Sequence, residues 1–436
     1  MHQVGYSEEY FDVALSRSMH EPEIWVLRPL LQSCLRGRLG DLVDGSRFRE
    51  GIERALPYLR RVPGKLALSA DATLFAWNTG NQRRAFARLL TDASVTRVEW
   101  EQQYPEVLRR FLEPRNQSHL ALRQRHLSRQ LFRYLDVQDR PAGRLLDRLT
   151  ARATVGVHLA RRAFERHTPE RLVVATQHSI IARAALVAAR EAGVVAIYVP
   201  HAPVADNRIY RDLPVDVAAL RGPLEVEHYT HLGADPGALH VVGNLGLSLG
   251  MNNAPCQDGP VIVAPSPWEP ERVEWFMGLV AAAITGPFMV CPHPGNDLEH
   301  LRSLLPDRAH LVEGERTWRV IARGCRAVVQ SSSGVATEAM LLGAPVIEVS
   351  TEGRPPNYPA IAEPYVRMAS DAAELRRALD AFGSAARGPF VEQAHTWATG
   401  WTAYTGRRAE QRLRSLLARD LQPVGPLLDA WAPPPP

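Results

Sequence analysis

The sequence predicts an α/β protein with two Rossmann-like parallel-sheet domains facing one another across a cleft, preceded by a helical extension. Three observations predict it. From residue 170 to 350, short apolar runs of strand length alternate with segments of helical length, the order that βαβ units and parallel sheets produce. The alternation comes as two series. Between them lies LGLSLGMNNAPCQDG, rich in turn formers. A chain of 436 residues, 45% hydrophobic and 22% charged, is also too long for one simple core.

The elements follow in order. Residues 1–64 carry apolar residues at roughly helical spacing with arginines between them, as in PEIWVLRPLLQSCL and SRFREGIERALPYLRR. They read as a helical extension outside the catalytic core. ATLFAWNTGNQRRAFARLL reads as strand, Asn/Gly loop and helix, and SVTRVEW as a second strand. Residues 104–168 are again helical and arginine-rich. RLVVATQHS is strand then loop, IIARAALVAAREAG a helix closed by glycine, and VVAIYVPHAP strand then loop. The second series runs through PVIVAPSPWEP, ERVEWFMGLVAAAITG, FMVCPHPGND, LEHLRSLLP, AHLVEGERTW, AVVQSSSG, VATEAMLLG and APVIEVS. The expected divisions are 1–64, a first domain over 65–245, a linker at 246–258, a second domain over 259–397, a helix crossing back over 398–422, and a disordered proline-rich tail at 423–436.

Composition excludes several classes. Basic residues number 51 and acidic ones 47, an excess that gives no reason to expect a nucleic-acid partner. Lys65 is the single lysine, so nearly all positive charge is arginine. A pI near 9.0 favours anionic partners such as nucleotides, phospholipid headgroups or acidic glycans. Cys34, Cys256, Cys291 and Cys325 are scattered without metal-ligand spacing and suggest a reducing cytoplasm. The N-terminus, MHQVGYSEEY, has no apolar signal core. The apolar run at 277–291 is broken by Gly286-Pro287 and is shorter than a membrane span needs. The expected location is cytoplasmic, with peripheral contact at the inner membrane face.

In open α/β sheets, ligands bind outside the carboxyl ends of the strands, so residues that follow strands are site candidates. In the first domain these are Asn78, Gly80, His178 and His201. In the second they are Trp268, His293, Pro294, Glu313, Ser331, Ser332, Ser333 and Gly334, with Glu338 one turn into the next helix. A helix N-terminus presents free N–H groups and partial positive charge, which suit a phosphate. Serine hydroxyls add donors, and a glycine lets the backbone come close. Glu338 is placed to accept from ribose hydroxyls. Capping of the helix by Ser332 or Ser333 is the alternative that needs no ligand.

The strand–SSSG–helix–LGAPVI–strand run, the preceding CPHPGND, and HYTHLGADPGALHVVGN together resemble GT-B glycosyltransferases. More narrowly they resemble the bacterial group of CDP-glycerol glycerophosphotransferases, Kdo transferases and polysialyltransferases. That resemblance implies nucleotide contacts at His293-Pro294 and Ser332-Ser333. It also implies a catalytic histidine at His201, although Ala202 stands where the group has glycine. It further implies a nucleotide-activated donor, cytidine or uridine, no cofactor or metal, and a glycan or lipid-linked acceptor. On this reading His201, helped by His178, takes the acceptor proton while His293 and the serines stabilise the leaving phosphate, with inversion. Two alternatives remain open. One is a non-hydrolysing UDP-N-acetylglucosamine 2-epimerase, for which Asp71 and Glu101 are the candidate acid–base carboxylates. The other is a non-catalytic nucleotide-binding scaffold of a glycan assembly complex.

Overall fold

A computed structural model of the chain describes residues 21–28, 73–76, 97–99, 114–135, 140–166, 168–206, 213–247, 259–350, 358–382 and 387–419, with single positions between. The first sheet contains β1 (Thr73–Ala76), β2 (Arg97–Glu99), β3 (Arg171–Val174), β4 (Val195–Tyr198), β5 (Val217–Leu220) and β6 (Leu239–Val241). The second contains β7 (Val261–Ala264), β8 (Phe288–Val290), β9 (Ala309–Leu311), β10 (Ala327–Gln330), β11 (Val346–Val349) and β12 (Arg367–Ala369). Their orders are β2-β1-β3-β4-β5-β6 and β12-β11-β10-β7-β8-β9. Every pairing is parallel. The chemistry of the strands explains this. β4, β5, β7, β10 and β11 are buried at every position, as strands covered on both faces must be.

Helices supply the cover. In the first domain they are α1 (Pro114–Leu135), α2 (Arg140–Arg166), α3 (Ile180–Glu191) and α4 (Pro223–His231). Ser179 caps α3 by accepting from the N–H of Ala182. In the second domain they are α5 (Pro270–Ala283), α6 (Leu298–Ser303), α7 (Thr317–Ala322), α8 (Val335–Leu341) and α9 (Ala372–Ala381). Asp297 and Asp371 cap α6 and α9.

Two late helices join the domains. α10 (Arg387–Trp401) buries Ala394 and Ala398 in the second core and Trp401 in the first. α11 (Gly406–Leu417) places Ala409, Leu413 and Leu416 on the first sheet beside Phe75, Val173 and Ile197. The main chain stitches the crossing: Ala403 donates to Arg221 O, Asn244 to Tyr404 O, and Gly406 to Asn244 O.

The extension expected over 1–64 is described at 22–28, and there it is no appendage. Ile24, Trp25, Val26 and Leu27 are buried in the first domain's core. The buried guanidinium of Arg183 lies over the Trp25 ring and donates to Trp25 O at 3.0 Å and Gln177 O at 2.8 Å. This segment therefore braces the loop that carries His178. Most of the linker and the tail at 423–436 lie outside the described residues. Among the described residues, no helix is long and apolar enough to cross a membrane.

The crossing leaves no room at Gly222. A Cβ there would overlap Gly400 O and stand 2.8 Å from Thr402 N. Gly222→Ala is therefore predicted to destabilise the protein by about 1–3 kcal/mol, the scale of overpacking. An unchanged denaturation midpoint would show that α10 does not dock this tightly.

Candidate functional site

Several sequence candidates, and Arg221 besides, follow the carboxyl ends of three adjacent strands in each sheet. In the first sheet His178 follows β3, His201 follows β4 and Arg221 follows β5. In the second, Ser331–Gly334 follow β10, Ser266 follows β7 and His293 follows β8. The two edges touch. A Cβ on Gly334 would stand 2.9 Å from Cδ of Pro203, so the turn after β10 abuts the loop that carries His201.

His201 is held by one carbonyl. Its backbone N–H donates to Ala175 O, and its Nδ1 lies 2.6 Å from the same oxygen. A carbonyl only accepts, so Nδ1 carries the hydrogen and Nε2 carries the lone pair. Burial holds the imidazole below its usual range and Arg221 adds to this, while the Ala175 bond works the other way. His201 is thus neutral at neutral pH, with Nε2 able to take a proton.

His293 is fixed in the opposite sense. Its Nδ1 accepts from the N–H of Gly295 at 3.0 Å, so the neutral ring carries its hydrogen on Nε2. Its own N–H donates to Asn296 Oδ1, and Asn296 Nδ2 donates to Ser266 O. Ser266 Oγ donates to Ser331 O at 2.6 Å. This chain ties together the loops after β8, β7 and β10.

The serine turn differs from the expectation in one respect. Ser332 does not cap α8, but Ser333 Oγ accepts from the N–H of Val335, the first residue of α8, at 3.4 Å, a long capping contact just before Gly334. Ser332 sits at φ 46°, a left-handed conformation uncommon outside glycine. Two fully buried side chains beneath it hold it there. Glu348 accepts from the N–H of Ser332 at 2.7 Å, and Gln330 Oε1 accepts from the N–H of Ser333 at 2.7 Å. Gln330 Nε2 in turn donates to Glu348, and the Ser332 hydroxyl also bonds that carboxylate. Ser332 therefore faces inward, leaving the Ser333 hydroxyl and the Gly334 N–H as the turn's donors for a ligand. Burial pushes Glu338 up to about 6, opposed by the charges of Arg221 and Arg316.

Other candidates do not join this cluster. Burial pushes His178 down to about 3, aided by Arg183 and His201; a ring so weakly basic takes no proton near neutrality. Arg272 covers the Trp268 ring at 3.9 Å from its centroid, and Phe276 meets its edge, so one face of Trp268 is occupied by a guanidinium. Glu313 follows the edge strand β9 and pairs with Arg302 at 2.7 Å in an exposed bridge. Pro294 is exposed in the His293 turn. Asn78, Gly80, Asp71 and Glu101 lie outside the described residues. Among the described residues, no group of His, Cys, Asp or Glu gathers to hold a metal ion.

Sequence reasoning passed over four residues. Arg221 directly follows the strand VAAL, so the strand-end rule includes it. Glu225, whose carboxylate accepts from the N–H groups of Val204 at 3.1 Å and Arg221 at 2.6 Å, has no local signature. Glu348 and Gln330 are polar residues within apolar strands, VIEV and AVVQ, and that anomaly was the signal.

No family profile and no curated protein sequence matches the chain. Solved structures do. A Listeria monocytogenes protein assigned as a UDP-N-acetylglucosamine 2-epimerase superposes at TM-score 0.50 with 13% identity, covering 82% of this chain and 99% of that one. The Neisseria meningitidis UDP-N-acetylglucosamine 2-epimerase bound to its sugar nucleotide gives 0.49 and 12%, over 80% and 99%. A calicheamicin glycosyltransferase gives 0.47 and 15%, over 81% and 100%. The chain has the GT-B fold: two Rossmann-like domains built on parallel sheets. At such identity the likeness extends to the fold alone.

The clamp beneath the serine turn yields a pH prediction. Burial pushes the Glu348 carboxyl from 4.5 up to about 8, against the bonds from Ser332 and Gln330. The native state then keeps this proton to higher pH than the unfolded chain does. The associated stability is full below pH 4.5 and is lost as pH rises to about 8. The wild-type melting temperature should fall across that window, and Glu348→Gln should flatten the fall. A difference between the two proteins that is constant with pH would contradict this.

Proposed function

We propose that the chain is a nucleotide-sugar-dependent glycosyltransferase, or a close relative transferring a phosphoalcohol, that acts on a surface glycan or related acceptor. The observation that carries this reading is the opposed tautomers of His201 and His293 at the carboxyl edges of facing sheets. A transferase needs a proton acceptor beside the attacking hydroxyl and donors beside the departing phosphate. His201 Nε2 supplies the first, His293 Nε2–H the second.

In this mechanism His201 Nε2 takes the acceptor hydroxyl proton as the acceptor oxygen bonds to the anomeric carbon. The Ala175 carbonyl, fixed on Nδ1–H, stabilises the imidazolium that forms. The bond to the donor phosphate breaks on the opposite side, giving inversion. The charge developing on phosphate meets the His293 Nε2–H, the Ser333 hydroxyl and the Gly334 N–H. Glu338, ionised at neutral pH, accepts from the ribose hydroxyls. The nucleotide, uridine or cytidine, rests on the second domain and the acceptor on the first. The resemblance to the CDP-glycerol, Kdo and polysialic acid transferases supports a cell-envelope acceptor and a site of action at the inner membrane face.

The epimerase alternative requires acid–base carboxylates on the first domain's side. Glu225, which follows β5, is turned onto the amides of Val204 and Arg221. Incubation with UDP-N-acetylglucosamine alone separates the readings, since an epimerase needs no acceptor.

Two outcomes test the transferase reading on a panel of UDP- and CDP-linked donors. His201→Ala should lower turnover about a hundredfold or more and leave donor affinity unchanged. Ser333→Ala should weaken donor binding by about 1–2 kcal/mol, the scale of a hydrogen bond to a charged group. Near-normal turnover in the histidine variant would remove His201 as the base.

A further inference from the structure

Arg221 stands out among the charged residues of the cleft. The residue is 6% exposed, yet its Nε–H has no hydrogen-bond partner among the described residues. Burying a guanidinium donor without an acceptor is costly, because the N–H gives up water and receives nothing in return. The neighbouring acid does not repair this. Glu225 directs its carboxylate to main-chain N–H groups, one of them Arg221's own. The fold also fixes where the guanidinium can be. The Arg221 carbonyl accepts from Ala403 in the crossing segment, and the Cα of Gly222 is pressed against α10. The residue is thus clamped where the domains meet.

Its charge reaches both sides of the cleft. It is felt at Tyr198, His201 and Glu225 of the first domain, and at Glu338 and Tyr358 of the second. Glu338 alone would make this end of the cleft repel an anion. The buried guanidinium of Arg221 offsets that charge, and its planar fork suits two-point recognition of a phosphate or carboxylate.

We propose that Arg221 receives an anionic group of the ligand bound in the cleft. The group is either a phosphate of the nucleotide donor or a carboxylate on the unit transferred. The inference rests on the nucleotide-donor reading above and deepens it. The first domain then contributes a specificity contact to a donor whose nucleotide lies on the second, so binding itself draws the two walls together.

The test is calorimetric titration of the wild-type chain, Arg221→Gln and Arg221→Lys with UDP, CDP, uridine, cytidine, UDP-glucose and UDP-glucuronate. A phosphate contact predicts that Arg221→Gln binds UDP or CDP at least tenfold more weakly while nucleoside affinity is unchanged. Arg221→Lys, which keeps the charge without the fork, should recover part of the loss. A carboxylate contact predicts a tenfold loss confined to UDP-glucuronate, with UDP-glucose unaffected. Equal affinities of wild type and variants for every ligand overturn the inference and leave the donor reading standing. An equal loss for nucleosides and nucleotides also overturns it, since that reports damage to the pocket. A wild-type chain that binds no nucleoside diphosphate or sugar nucleotide overturns the donor reading and this inference together. Should Arg221→Gln fail to fold by far-UV circular dichroism, Arg221→Lys decides the matter by the same comparison.

Discussion

The cleft depends on buried carboxylates that hold its loops from below. In the second domain Glu348 accepts the N–H of Ser332 and is braced by Gln330. In the first, Glu225 accepts the N–H groups of Val204 and Arg221. Each anchors the main chain just beyond a central strand, and burial raises the pKa of each. The arrangement is expensive, because polar carboxyl groups are kept from water. What it secures is a serine turn held at φ 46° and an arginine loop clamped against the returning helix. Strain of that kind persists only where its surroundings over-determine it.

The same economy of means orients the histidines. Neither relies on an acidic partner. The Ala175 carbonyl sets the tautomer of His201, and the Gly295 amide sets that of His293. Main-chain partners have no titration of their own, so neither tautomer depends on the ionisation of the group that sets it. Two chemically identical rings therefore present a lone pair on one side of the cleft and an N–H on the other. A transfer reaction that moves one proton and one leaving phosphate needs that asymmetry.

The sheets were the most legible part of the sequence. Runs such as VAIY, VIVA and AVVQ fit strands buried on both faces, and their alternation with helices leaves few other topologies. The rule that ligands bind beyond strand ends named His201, His293 and the serine turn, and the structure brings these to the facing sheet edges. It failed where tertiary contacts decide. Trp268 has the right position, but the Arg272 guanidinium occupies its face. Glu313 ends a strand, but an edge strand three places from β10. His178 has the right neighbours and too little water. The helix at 22–28 looked peripheral because the pattern of one segment cannot show that Arg183, far along the chain, ties it to the first sheet. Arg221 directly follows the strand VAAL, where the strand-end rule applies, and it was not among the candidates.

The proposed site requires that one ligand span the two edges. A crystal structure with bound UDP or CDP tests this most directly. The account predicts the phosphates between the turn at Ser333-Gly334 and the His201–Arg221 side, with the ribose hydroxyls on Glu338. A nucleotide held elsewhere, with Ser333, Glu338 and His293 all beyond hydrogen-bonding reach, would contradict it.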